Sequence, residues 1–462
     1  MKKYLILFIV ACMVLCLIPS VGMLFFPTTK TTENKAMAEP PKLITEEGAP
    51  NKAFFSDFEN YFNEHIALRN QLLYSDAMIQ STLFRESNVS GVIYGTDGWL
   101  YYSSTLNDYL GTNALSERQL YNLGHNFRLI QDYVEAQGKD FVLLIAPNKN
   151  TLYGDNMPYY KSYVVKQEHS AVLLGPILKQ QNVNYLDLFK LFEAQEEVLY
   201  LKQDSHWNMK GANLAYNGIM DSLNLPHEDY SDTTPVLTQN ENGDLNKMLY
   251  SFYGQPEQNY DYNLTQAFSY TSNEKDVEGR WLITENPSGT GTLLMFRDSF
   301  ANTLIPFLSN EFHTAYYSKG EPNALARYME TYNPDYVVIE KVERNIANYL
   351  NNPPILTPAE VQLPEKFSIA ATDSTVQAET CMNDMNYYVF SGVLDESRVQ
   401  VNSKVLVRVN DRVYSAYLTE ENGYALYLKK TEFTDPSAQI MVYIVNEDQC
   451  VQAVTAQLNL PQ

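Results

Sequence analysis

Phe141-Val142-Leu143-Leu144-Ile145-Ala146 is an uninterrupted apolar run with no polar residue between its ends. An alternating strand can leave one face in water. A continuous apolar strand must be covered on both faces, which suits a parallel strand flanked by helices. A helical pattern precedes it. Ser116 with Gln119 makes a capping box, Leu120, Leu123, Phe127, Ile130 and Val134 recur at helical spacing, and Gly138 supplies the stop. The run ends in Pro147-Asn148-Lys149, at a strand's carboxyl end, where open α/β sheets place their ligands.

The alternation continues along the chain. Helices are expected over 169–181, 209–223, 300–308 and 323–332. Strands are expected over 184–188, 293–296, 313–317 and 336–340, and the apolar stretch 198–201 leads into a polar turn. Val92 to Tyr102 reads as a hairpin about Asp97-Gly98. This is a β-α-β pattern with a mainly parallel sheet. One interval breaks it. Residues 224–291 are polar, acidic and rich in Tyr, Asn and Gly, and are expected to form a long cover over the site. Pro353, Pro354, Pro358 and Pro364 mark a boundary. Strand-like runs at 405–409, 414–418, 425–428 and 441–445 follow, and a small β-sandwich is expected over 365–462.

Two turns carry chemistry. Asp204-Ser205-His206-Trp207 sets a carboxylate two residues from an imidazole, just before a helix. Residues two apart in an extended turn point the same way, so the acid can hold the base in one tautomer. Arg297-Asp298-Ser299-Phe300 follows a buried strand and precedes a helix. Such a turn lifts the Ser299 hydroxyl to the sheet's edge, beside main-chain N–H groups able to stabilise an oxyanion. Acid, base and nucleophile together are the parts of a serine hydrolase or acyltransferase. Asp204 and His206 are also two potential metal ligands, but no third lies at a convincing spacing; neither a metal nor a cofactor is expected.

The chain of 462 residues is too long for one ordinary core. Its formal net charge of -22 argues against nucleic acid as a partner. Tyrosine, at 35 residues, is abundant and suits both sugar contacts and ordinary packing. Lys2 and Lys3 precede an uncharged run from Tyr4 to Phe26, long enough to span a bilayer. The A-x-A pattern Ala36-Met37-Ala38 lies well beyond that run. An uncleaved signal anchor over 1–27 is therefore favoured over a cleaved signal peptide, with the basic end in the cytoplasm and the body outside the cell. Residues 28–50 read as a linker. Residues 51–84 read as a helix with one aromatic face (Phe54, Phe55, Phe58, Tyr61 and Phe62), packed on a domain that extends to about 350. His65 and Arg69 lie one turn apart in that segment, with packing favoured over chemistry. Cys381 and Cys450 suit either one disulfide or two buried thiols.

With these residues in place, the sequence resembles the SGNH-hydrolase superfamily, and within it the bacterial branch of alginate O-acetyltransferase proteins and their DHHW relatives. The resemblance rests on Asp204-Ser205-His206-Trp207, Asp298-Ser299-Phe300 and Ala146-Pro147-Asn148-Lys149, with Gly243-Asp244-Leu245 and the segment around Tyr61-Phe62-Asn63-Glu64-His65 as weaker matches. It covers roughly residues 50 to 345. It implies Ser299 as nucleophile, His206 as base and Asp204 as orienting acid, with the Asp-His pair ahead of the Ser. It also implies an extracellular polysaccharide as acceptor and a membrane-bound O-acyltransferase as partner. Asn148 and Lys149 are expected to reach the site, Asn148 as an oxyanion donor, and Trp207 either to stack on sugar or to pack in the core. One departure stands out. The family's glycine before Asp-Ser is Arg297, which adds bulk and charge beside the nucleophile and is expected to alter the oxyanion hole or bind an acidic sugar. Three functions follow: O-acetyl transfer to a cell-surface or exopolysaccharide glycan, hydrolysis of glycan esters by the same triad, or glycan binding without catalysis.

Overall fold

The computed structural model describes residues 2–30, 37–45, 48–231, 233–251, 254–370, 372–447 and 449–461. Ala36 of the A-x-A pattern and parts of the linker (31–36 and 46–47) lie outside them.

A seven-stranded sheet forms the centre, in the order 185–186, 140–146, 336–342, 292–296, 314–318, 281–285, 269–270. The first five strands run parallel to one another, 281–285 pairs antiparallel with the fifth, and 269–270 pairs antiparallel with 281–285. The sheet is thus mixed at one edge. Val142 to Ala146 are wholly buried because apolar layers cover both faces. The helix Met209–Ser222 contributes to one layer and the helix Glu117–Glu135 to the other. The capping box at Ser116 and Gln119 forms as the sequence predicts.

The polar interval is not a plain cover. Its strands Ser269–Tyr270 and Trp281–Glu285 extend the central sheet. Val236–Glu241 pairs with Glu257–Asp261, and the helix Asp244–Tyr250 lies between them in sequence. Trp281-Leu282-Ile283 was hidden within a polar stretch, and Leu282 alone of these is fully buried.

The tail is a β-sandwich of a five-stranded and a four-stranded sheet. The expected strands are joined by Tyr387–Val393 and Cys450–Asn459, which sequence patterning missed. The sandwich is docked on the α/β body through polar residues of the helix Glu117–Glu135. Arg118 donates to the carbonyls of Val401, Ser403 and Glu421. The Asn126 carboxamide donates to Leu418 O and accepts from Leu418 N–H, both at 2.8 Å. Buried polar groups must be paired, so this face of the helix is specific for the tail. Asn126→Ala would strand a buried N–H and a carbonyl. It is expected to cost about 2–4 kcal/mol of unfolding free energy, read by denaturant titration.

One open alternative closes and one expectation is corrected. Among the described residues, Cys381 and Cys450 are free buried thiols in separate apolar clusters, not a disulfide. The 51–84 segment is two helices, Phe54–His65 and Arg69–Ile79, broken where Leu68 takes φ 61°. The first buries none of its residues, so its aromatic face is not packed on the body. His65 bonds Tyr61 O and Arg69 bonds Asn63 O, within their own segment.

Candidate active site

Ser299 sits just past the carboxyl end of the strand Thr292–Phe296, in the middle of the sheet. Asp298 fixes its turn. Its carboxylate accepts from Phe300 N–H (3.0 Å) and Val342 N–H (2.8 Å), and its own N–H donates to Glu340 (2.8 Å). Glu340 is fully enclosed, and burial, with the Asp298 charge, pushes its carboxyl well up. Ser299 N–H donates to no acceptor among the described residues, which leaves a main-chain donor free beside the Ser299 hydroxyl.

Asp204 and His206 reach Ser299 from a turn that is tighter than the extended one expected. Leu201 N–H donates to His206 O at 3.2 Å and closes it. Asp204 Oδ1 then accepts from both the main-chain N–H (2.9 Å) and the Nδ1–H (2.6 Å) of His206. With Nδ1 protonated, Nε2 is left to accept from Ser299 Oγ at 2.8 Å. The three predicted residues therefore form one relay. Trp207 fastens its two halves, its Nε1–H donating to Thr303 Oγ1 (2.7 Å) and its ring meeting Phe300 edge-on at 5.0 Å.

The four outlying candidates do other things. Trp207 is 1% exposed and is core. Arg297 is 2% exposed, and its guanidinium is taken up by the carbonyls of Val277 (2.7 Å), Gly279 (2.9 Å) and Asp298 (3.2 Å) and by Asn302 Oδ1 (2.5 Å). It clamps the 277–279 loop to the nucleophile turn, and its side chain is not available to an acidic sugar. Asn148 spends its carboxamide on Asp108 (2.9 Å) and Arg344 (3.4 Å), so the oxyanion role expected for it is not supported. Lys149 is also buried; its ammonium donates to the carbonyls of Leu201 (3.1 Å), Lys202 (3.0 Å) and Asp204 (2.5 Å). It reaches the site as the support of the Asp204 turn.

Asp244 completes the site. Its N–H donates to Asp204 Oδ2 at 2.8 Å. Its carboxylate accepts from Ser205 N–H (2.7 Å) and Ser205 Oγ, and lies 3.8 Å from His206 Nδ1. Gly243 permits this approach, since a Cβ there would fall 2.2 Å from Gln203 O. Gly243-Asp244-Leu245 was visible as a motif, but nothing in its spacing ties it to Asp204. Asp204, His206 and Asp244 also bring their ligand atoms within 4.8 Å of one another, the third ligand that spacing did not reveal. The Asp204–His206 hydrogen bond occupies Nδ1, so the cluster suits proton chemistry better than metal binding.

The electrostatics follow from these contacts. Burial alone would raise Asp204. Its hydrogen bond and charge pairing with His206, with the N–H groups of Asp244 and His206, outweigh burial and hold it well below the usual carboxylate range. Burial alone would lower His206. Asp204 reverses that, Asp244 and Asp298 add to it, and the imidazole is held above its ordinary 6.5. A base must be neutral to act, so kcat/KM for an ester is expected to rise with pH through an inflection above 6.5. Asp244→Asn removes one carboxylate and should move that inflection toward acid, as a pH–rate profile of both proteins would show.

Residues 92–295 match the family model described as "SGNH hydrolase-like domain, acetyltransferase AlgX". The match includes Asp204 and His206 and ends short of Ser299. Among curated proteins none matches the chain. Several solved structures do. PatB1 of Bacillus cereus is 18% identical, with 55% of this chain and 96% of that one covered at a TM-score of 0.43. A DHHW family protein from Eubacterium siraeum is 14% identical, over 55% and 91%, at 0.40. AlgX of Pseudomonas aeruginosa is 14% identical, over 79% and 94%, at 0.37. Over residues 92–295 the chain is thus similar to the SGNH hydrolase-like domain of the acetyltransferase AlgX.

Proposed function

We propose that the protein is an extracytoplasmic O-acetyltransferase of a cell-surface or exopolysaccharide glycan. The single observation that carries this is the relay from Asp204 through His206 to Ser299, at 2.6 and 2.8 Å. His206 Nε2 takes the Ser299 proton as Oγ attacks the acyl carbonyl. The Ser299 N–H faces the developing oxyanion, and the leaving group departs with the proton from Nε2. A glycan hydroxyl, deprotonated by His206 in turn, then takes the acetyl group, and Nε2 returns that proton to Ser299 Oγ as the Oγ–acyl bond breaks. The matched family's acetyltransferase description favours transfer. Hydrolysis is the second reading, because His206 and Ser299 are only half-buried and water can reach them.

The apolar helix Lys3–Gly22, with a mean hydropathy of 2.8, supports a membrane tether; a body outside the cell, beside a membrane-bound O-acyltransferase as acyl supplier, is the arrangement this reading proposes. The test is intact mass after exposure to an activated acetyl ester. The wild-type chain is expected to gain one acetyl group, and Ser299→Ala none. Adding a hydroxyl-bearing oligosaccharide then separates transfer from hydrolysis by where the acetyl group ends. A folded wild-type chain that gains no acetyl group would refute the proposal and favour glycan binding without catalysis.

A further inference from the structure

We propose that the helices Phe54–His65 and Arg69–Ile79, with the turn continuing to Phe84, lie on the outer leaflet of a lipid bilayer as a membrane-surface platform. The inference rests on reading residues 3–22 as a membrane span. The second helix is apolar on two opposite sides. Tyr74, Ala77 and Ser81 face the body: Tyr74 packs on Tyr250 at 6.2 Å, Tyr250 OH donates to Ser81 Oγ at 3.2 Å, and Ala77 joins Leu245 and Leu249 in one cluster. Leu68, Leu72, Ile79 and Leu83 recur at spacings of four, seven and four, which places them together on the far side. They are 49% to 72% exposed. The first helix adds Phe55 and Phe58, both exposed; Phe58 sits in a row of rings running Phe54, Phe58, Phe62, and Phe55 meets Phe54 edge-on.

The span's own outer end says what covers this surface. Ala67 N–H donates to Pro19 O at 3.1 Å, and Thr28 donates to His65 O and Ile66 O. Gly22 lies against Ala67, where an added Cβ would stand 3.0 Å from the alanine's own. The bend between the two helices is therefore fastened to the point where the span leaves the membrane. Leu24, Phe25 and Phe26, all exposed, continue the apolar surface from span to platform. A face fixed at that height meets lipid before it meets solvent. Between residues 52 and 85 the basic side chains, His65 aside, are Lys52, Arg69 and Arg85, against Asp57, Glu59, Glu64 and Asp76. Attraction to anionic lipid is not the driving force, and zwitterionic lipid should suffice. The platform also bears on the chemistry, because the helix Asp244–Tyr250 that it grips begins with the residue bonded to Asp204 and Ser205.

The full chain, reconstituted in phosphatidylcholine vesicles, tests this with added indoles. Phe55→Trp places one on the first helix and Leu83→Trp one on the turn that continues the second, and Asn60→Trp is the control on the opposite side of the first. In vesicles whose lipid is brominated near the headgroup end of the acyl chains, the emission added by Phe55→Trp and by Leu83→Trp should fall by about half or more. That added by Asn60→Trp should hold. Chain that floats with the vesicles while all added emission holds would leave the span standing and overturn the platform. A blue shift without quenching would mean that protein, not lipid, covers the face, and would overturn it too. Chain that does not float would sink the span and the platform together.

Discussion

His206→Ala is expected to slow acylation of Ser299 by an activated ester by roughly four to six orders of magnitude, with little change in folding. Among the described residues the imidazole is the one base bonded to Ser299 Oγ, at 2.8 Å, and Ser299 without it is an ordinary hydroxyl. What survives is the help of the Ser299 N–H and of ester binding. The ring is also part of the turn's electrostatics, so stability should shift modestly and with a definite sign. His206 is raised in the folded chain, so its pairing stabilises below the unfolded value and that gain fades as pH rises through the folded one. Asp204 is depressed, so its share is present above the ordinary carboxylate value of 3.8 and is lost as pH falls through the folded one. Acylation rate by burst kinetics and unfolding by denaturant separate the two effects. A variant that still acylates within tenfold of wild type would remove His206 from the mechanism.

The parts of this site that sequence shows are those fixed by local geometry. Asp204 and His206 are two residues apart, and Ser299 follows an apolar run, so each half announces itself. The sheet is legible for the same reason: Phe141 to Ala146 and Leu293 to Phe296 are apolar without interruption. What sequence cannot show is contact between distant loops. Asp244 stands forty residues beyond Asp204, and its meaning depends on Gly243 lying against Gln203. Arg297 reads as charge beside the nucleophile because composition does not say which way a side chain turns; three carbonyls, those of Val277, Gly279 and Asp298, decide it. Cys450–Asn459 alternates, with Gln452, Thr455 and Gln457 on its wetter face, and carries too few apolar residues to stand out as a strand. The aromatic face of Phe54–His65 was legible as a face, but periodicity is silent about what a face meets.

Lys149→Leu is expected to destabilise the folded chain by about 2–4 kcal/mol, and to lower kcat for ester turnover far more than it changes KM. Two effects oppose each other here. Burial pulls the ammonium down to about 8 from its ordinary 10.5, although Asp204, Glu257 and Asp244 attract it, so the enclosed charge itself is costly. By linkage that cost is on the order of 3 kcal/mol, and removing the charge recovers it. Against it stand three charge-assisted bonds, to Leu201, Lys202 and Asp204, each worth about 1.5–3 kcal/mol. The bonds win, because leucine would leave the enclosed carbonyls of Leu201 and Asp204 facing hydrocarbon, while Lys202 O keeps only its bond from Leu100 N–H. The rings of Trp99 and Tyr101, 5.6 and 5.3 Å from the ammonium, add a smaller loss. The pH signature identifies the residue. The unfolded chain holds the lysine proton up to about 10.5 and the folded chain only to about 8. Wild-type stability should therefore gain this group's contribution between those values as pH rises, and Lys149→Leu should lack it. Paired denaturant titrations across that window read the difference. Equal slopes in the two proteins would mean that Lys149 is not the enclosed cation holding the Asp204 turn.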